Sequence, residues 1–250
     1  MFAPSVSWFR PSPLPAVTAL SSDDPTDFEV VDQWDEGVGW IPHPEETLRR
    51  ASHAVQAGDG VWLLDPLDAP GVDELFAEYG EVVGVAVGSS WHARDADVFA
   101  RRHGVPVSIP EWMGRIEARV DAPVERFSGR LPGTEFEVRK TAPFPTWQEA
   151  ILYRDRDGTL VIPESMGTAE TFLVGDERLG VSIYRRLTPP REVLAGLDPD
   201  RILVGHGDGV FEGATAALRD GLDGARRRAP RAFATHLGTA IRQFVAASRN

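Results

Sequence analysis

The sequence predicts an α/β protein, and three observations predict it. Apolar strand segments alternate with short helical segments between Val61 and Ile109. A β-rich stretch broken by turn signals follows, and two amphipathic helical stripes close the 250-residue chain. Strand–helix–strand alternation of this kind builds parallel strands joined by right-handed crossovers.

Each element follows from its local pattern. Phe28–Trp34 and Gly39–Ile41 read as short strands around the Gly37 turn. Ala51–Val55 and Val61–Leu64 read as a hairpin across Gly58-Asp59-Gly60. A helix over Val72–Tyr79 is closed by Gly80, and Val82–Val87 is the next strand. The helix over Arg94–His103 sets Ala96, Phe99 and Ala100 on one face and is closed by Gly104, before a third strand at Val105–Ile109.

Strands then follow at Val124–Phe127, Glu135–Lys140, Trp147–Tyr153 and Thr159–Ile162, with Leu131-Pro132-Gly133 and Arg156-Asp157-Gly158 as turns. A loop covers Pro163–Ala169, and Thr188-Pro189 opens a helix. Arg201–Val204 is the last strand and runs into Gly205-His206-Gly207-Asp208-Gly209. Phe211, Ala214, Leu218, Leu222 and Ala225 make one helical stripe; Phe233, Leu237, Ala240, Ile241 and Phe244 make a second. The expected organisation is one domain over residues 27–250 behind a Pro/Ser-rich, disordered leader at 1–26.

Composition bounds the function. A net charge of −12 argues against a general nucleic-acid binder and against anionic membrane surfaces, since both need clustered basic residues. Lys140 is the only lysine, so arginine supplies 25 of the 26 basic residues, a balance that fits a salt-adapted or GC-rich source. The absence of cysteine removes disulfides, thiolate ligands and a thiol nucleophile. No apolar run approaches the ~20 residues of a membrane span, and the leader lacks the basic n-region of a secretory signal. A cytoplasmic location is the default expectation.

Three polar loops each follow an apolar strand: Ser89–Asp95, Pro163–Thr168 and Gly205–Asp208. They offer His92, Asp95, Glu164, His206 and Asp208. Oxygen and nitrogen ligands meeting at one rim are what a hydrolytic metal site requires. Each residue also has a purely structural use. Asp95 sits where a carboxylate suits the start of a helix, His92 where a loop histidine finds a backbone partner unless it rotates inward to substitute as a ligand, and Glu164 where an arginine can pair it. His206 stands between glycines, which let backbone pass close to a site. No phosphate-binding GxxxxGK loop is present, and Ser89 and Ser90 lack a nucleophile elbow.

The order and spacing of these loops resemble the metallo-β-lactamase superfamily, from about Phe28 to the end of the chain. The resemblance rests on the strand ending Leu64-Asp65-Pro66, the strand–loop–helix at 82–103 and the strand before Gly205-His206-Gly207. It implies a four-layer αββα sandwich of two mixed sheets. Aligned on its aspartate, the family's His-x-His-x-Asp-His loop falls on Trp91-His92-Ala93-Arg94-Asp95-Ala96. Asp95 takes a ligand position, and His92 falls between the two expected histidines. The next family histidine falls on Phe144, the bridging aspartate on Glu164 and the last histidine on His206.

On this resemblance the three-histidine position is replaced by Trp91, Ala93 and Phe144, and the rings of Trp91 and Phe144 would fill the vacated volume. The second position keeps Asp95, Glu164 and His206, enough for one divalent cation (zinc, manganese or iron) or, in a protein that no longer catalyses, for none. Three functions stay open. The first is a hydrolase-like protein without the dinuclear zinc site, non-catalytic or binding a small-molecule ligand. The second is a mononuclear hydrolase of an ester, thioester or phosphoester, with Asp95 and His92 as its catalytic candidates and His92 or Asp208 moving the proton. The third is an assembly or regulatory protein using the aromatic rim.

Overall fold

The computed structural model describes residues 24–249, so most of the leader expected at 1–26 lies outside the described residues. Among the described residues, thirteen strands and four α-helices follow one another along the chain, with short 3-10 turns between them. Strands β1 (Glu29–Trp34), β2 (Gly37–Ile41), β3 (Ser52–Ala57) and β4 (Gly60–Leu64) form an antiparallel meander. Helix α1 (Val72–Phe76) leads to β5 (Val82–Ala86), and α2 (Ala96–His103) leads to β6 (Val107–Pro110). β4, β5 and β6 are mutually parallel, as the alternating pattern predicts, and β7 (Val124–Phe127) adds to them in parallel. These seven strands lie side by side in chain order.

The second sheet holds β8 (Glu137–Phe144), β9 (Trp147–Arg154), β10 (Thr159–Ile162) and β13 (Arg201–Val204), in the order β13-β10-β9-β8. β10 runs parallel to β13 and antiparallel to β9, so both sheets are mixed. Between them in sequence, β11 (Met166–Gly167), inside the loop expected at Pro163–Ala169, pairs with β12 (Gly180–Val181) in a two-residue ribbon. Helices α3 (Arg191–Leu194) and α4 (Ala214–Arg249) complete the set.

Strand parity divides the core into three layers. Val61 and Leu63 of β4 pack with Phe76, Phe99 and Ala100 on the outer face, while Trp62 and Leu64 turn inward to Leu152, Val161 and Leu203 of the other sheet. On the far side, Leu160, Ile162, Ile202 and Val204 pack under Leu218, Leu222 and Ala225 of α4. Alternate side chains of a strand face opposite ways, so each central strand serves two layers at once. The result is helix, sheet, sheet, helix. Fully buried Leu63 illustrates the stake: a Leu→Ala change at such a site costs about 2–5 kcal/mol.

Three expectations are corrected. Val124–Phe127 belongs to the first sheet rather than to the β-rich middle, because it pairs with β6. The helix expected from Thr188-Pro189 begins at Arg191, with Pro190 before it and no side-chain cap. The two closing helices are one helix of 36 residues that carries Pro230 inside it. Proline removes one helical donor, but alanine and arginine around it favour helix strongly enough to continue. Ala214, Leu218, Leu222 and Ala225 are buried as the first stripe requires, whereas Ile241 of the second is 57% exposed. Leu237, Ala240 and Phe244 lie outside the described side chains. No helix among the described residues is long and apolar enough to cross a membrane.

Candidate metal centre

The loops that follow β5, β10 and β13 meet at one rim of the sandwich, and each delivers one residue. His92, Glu164 and His206 are all buried, and a ligand atom of each lies within 4.8 Å of the others. Among the described residues this is the one group of three or more such ligands. Small residues permit the approach. A Cβ on Gly205 would stand 2.1 Å from the carbonyl oxygen of Pro163, and one on Gly88 would stand 2.6 Å from the Pro163 ring.

The geometry around the two imidazoles is specific. His92 places Nδ1 3.0 Å from Asp65 Oδ2 and Nε2 2.7 Å from Glu164 Oε2. His206 places Nδ1 3.0 Å from the Leu48 carbonyl and Nε2 3.1 Å from the same Glu164 oxygen. A carbonyl only accepts, so His206 carries a proton on Nδ1. A neutral ring protonated there has no hydrogen left on Nε2. Every partner of both rings is an acceptor. The three converging atoms therefore call for positive charge among them, from extra ring protons or from a metal ion in their place.

The titration directions agree. Burial would push the Glu164 carboxyl up, but His206 and His92 overcome it and hold the group far below the usual carboxylate range. Burial also opposes ionisation of Asp65, yet the charge and hydrogen bond of His92 lower it. For His92, burial and the Arg94 cation pull downward, and Asp65 with Glu164 outweighs them to raise it.

Arg94 completes the floor of the site. Its Nη1 donates to the carbonyls of Ala51 (2.6 Å) and Asp65 (2.7 Å), and Nη2 to that of Gly205 (3.1 Å). One side chain thus ties together the approach to β3 and the ends of β4 and β13. The residue adopts φ 43°, in the left-handed region that non-glycine residues seldom occupy. Burial brings its guanidinium down to about 10.

The other sequence candidates are placed elsewhere. Asp95 precedes α2 but does not cap it; Oδ2 accepts from the Asp68 amide at 2.8 Å, outside the three-residue group. Asp208 is exposed and pairs with Arg49 at 2.7 Å. Phe144 stands at the β8–β9 turn, 39% exposed, and fills no interior volume. Trp91 does pack inward, stacked on Trp147 with ring centroids 5.0 Å apart and Tyr184 edge-on to both. Asp65, Arg94 and the Leu48 carbonyl carry parts of the site that no local pattern announces, although Asp65 does end an apolar strand directly before Pro66.

With this geometry in view, solved structures give a consistent likeness. A metallo-β-lactamase from Pontibacter korlensis superposes with a TM-score of 0.55 at 14% identity, over 80% of this chain and 99% of that one. The DIM-1 metallo-β-lactamase gives 0.54 at 11% identity, over 82% and 99%. The mono-zinc form of the metallo-β-lactamase FIM-1 from Pseudomonas aeruginosa gives 0.53 at 10%, over 84% and 99%. The fold is that of the metallo-β-lactamases. The sandwich and its two mixed sheets match that architecture throughout the superposed region. No protein-family model matches the chain, and no curated protein matches it in sequence.

Within the metallo-β-lactamase fold, the donor set fits one metal ion. Two imidazole nitrogens and one carboxylate suit zinc and neighbouring divalent metals. Both rings have Nδ1 held by a carboxylate or a carbonyl, the arrangement that orients a histidine ligand to use its other nitrogen, here the Nε2 that faces Glu164.

Proposed function

We propose that this chain is a metallo-β-lactamase-fold protein built around a single divalent-cation site, formed by His92, Glu164 and His206. The site serves hydrolysis of an ester, thioester or phosphoester rather than dinuclear zinc chemistry. One observation carries the reading: two oriented histidines direct Nε2 at one carboxylate oxygen, with only acceptors around them. Positions that would serve a second metal on the family pattern hold Trp91, Ala93 and Phe144, none of which is a ligand. When bound, the cation supplies Lewis acidity and an acidified water. The chain's own residues do the rest: Asp65 and the Leu48 carbonyl orient the imidazoles, and Arg94 keeps the three loop ends together.

A second reading is a relative that does not catalyse and binds a small-molecule ligand. It is favoured by Glu164 already bonding to both imidazoles, which leaves the group satisfied when the rings are protonated. Metal content after purification in zinc, manganese or iron separates the two. About one ion per chain, lost in the His92→Ala/His206→Ala variant, and ester, thioester or phosphoester hydrolysis that follows that ion support the first. A content near zero overturns it.

A further inference from the structure

Glu149 lies on β9 and is completely buried. Its Oε1 accepts the amides of Glu164 (2.8 Å) and Ser165 (2.9 Å), and its Oε2 accepts the Ser165 hydroxyl. All three bonds reach the same turn, the one where the chain leaves β10 and presents Glu164. The strand around Glu149 is fixed from the other side as well. Glu149 forms a β-bridge with Ser89, and the Ala150 amide donates to the Gly88 carbonyl at 2.7 Å. One residue therefore couples the loop that carries His92 to the turn that carries Glu164.

A carboxyl group in such a place is costly to desolvate, and burial pushes it up despite the three donors. An apolar side chain would avoid that cost but would leave two buried amides unpaired. Two of its bonds go to the backbone of one residue pair and the third to the Ser165 hydroxyl.

We propose that Glu149 is a positioning residue. It sets the Glu164 carboxylate between the two imidazoles by clamping the Glu164–Ser165 backbone. This inference rests on the single-cation reading for its consequence, though its geometry can be tested without metal.

Two readouts on Glu149→Ala and Glu149→Gln test it: the dissociation constant for Zn2+ alone, by competition with a chromophoric chelator, and the His92 and His206 imidazole NMR resonances of the metal-free protein. Glutamine keeps an oxygen for the two amides and can donate to the Ser165 hydroxyl, so it should preserve both. Alanine should weaken Zn2+ binding by about 10–100-fold, as loss of a supporting group typically does, and shift both imidazoles. Alanine without effect, or glutamine as damaging as alanine, overturns the role. Should Glu149→Ala not fold, Ser165→Ala removes one of the three bonds and must still shift the imidazole resonances; unchanged resonances overturn the proposal. Should the wild type bind no Zn2+, the single-cation reading fails, and the resonances alone decide what Glu149 does.

Discussion

His92 is held by Asp65 across 27 residues of sequence, Nδ1 to Oδ2 at 3.0 Å, with both side chains buried. Asp65 spends its other oxygen on the Gly88 amide at 2.7 Å, at the start of the loop that carries His92. The carboxylate therefore sets the ring's rotation and the path of the loop together. Asp65→Asn keeps the shape but can turn an amide donor toward Nδ1, which changes the favoured tautomer. The expected outcome is a loss of about 10–100-fold in Zn2+ affinity with the protein still folded. Isothermal titration of the two proteins checks this, and equal affinities would refute the orienting role.

Asp95 and His92 make a paired prediction, because the family pattern favours one and the geometry the other. Asp95 is bonded to the Asp68 amide, where it joins the turn after β4 to the start of α2. Asp95→Ala should leave metal content unchanged and cost about 1–3 kcal/mol by leaving a part-buried amide unpaired. His92→Ala should abolish binding. Elemental analysis and urea denaturation of both variants give the answer; loss of metal in the Asp95 variant would restore Asp95 as a ligand.

The layered fold was legible because strands covered on both faces read as short continuous apolar runs, as β4 (GVWLL) and β10 (TLVI) do. Glu164 and His206 were legible for a related reason: each follows an apolar strand and stands beside a proline or glycine. The use of His92 was not. Its ring direction is set by the Ser89–His92 turn, by the φ of Arg94 and by Asp65, none of which a local pattern encodes. Asp95 stands at a motif position, but residue type alone does not determine where a carboxylate turns, and this one turns to the Asp68 amide. The two closing stripes read as separate helices, yet one helix runs through Pro230 between them.

Arg94 supplies donors to three carbonyls that sit on three different loop ends. Removing it leaves those oxygens without that partner and takes one favourable charge away from Asp65 and Glu164. Arg94→Met should therefore cost about 3–5 kcal/mol, the range for breaking a buried charged network. Arg94→Lys, which keeps the charge but cannot span three acceptors, should fall between. Urea midpoints of the three proteins test the order. A methionine variant as stable as wild type would show that the loop ends hold together without the guanidinium.

Acid should weaken the end of the sandwich that lies away from the histidines, through Asp157. Burial pushes Asp157 up, but hydrogen bonds from Arg154 and Thr159 and the charges of Arg154 and Arg201 bring it to about 2, below its ordinary 3.8. Its carboxylate bonds Arg154 Nη2 at 2.8 Å and Arg201 Nη1 at 2.7 Å, linking β9, the turn after it and β13. A carboxyl lowered by folding contributes stability above its unfolded value and loses it as pH falls through the folded value. The contribution is therefore complete above about pH 4 and is lost progressively toward pH 2. Asp157→Asn should be less stable than wild type at pH 6, and the difference should shrink as pH falls through that window. Urea unfolding at pH 6, 4 and 2.5 measures it; a difference that stays constant across the three would refute the linkage to Asp157.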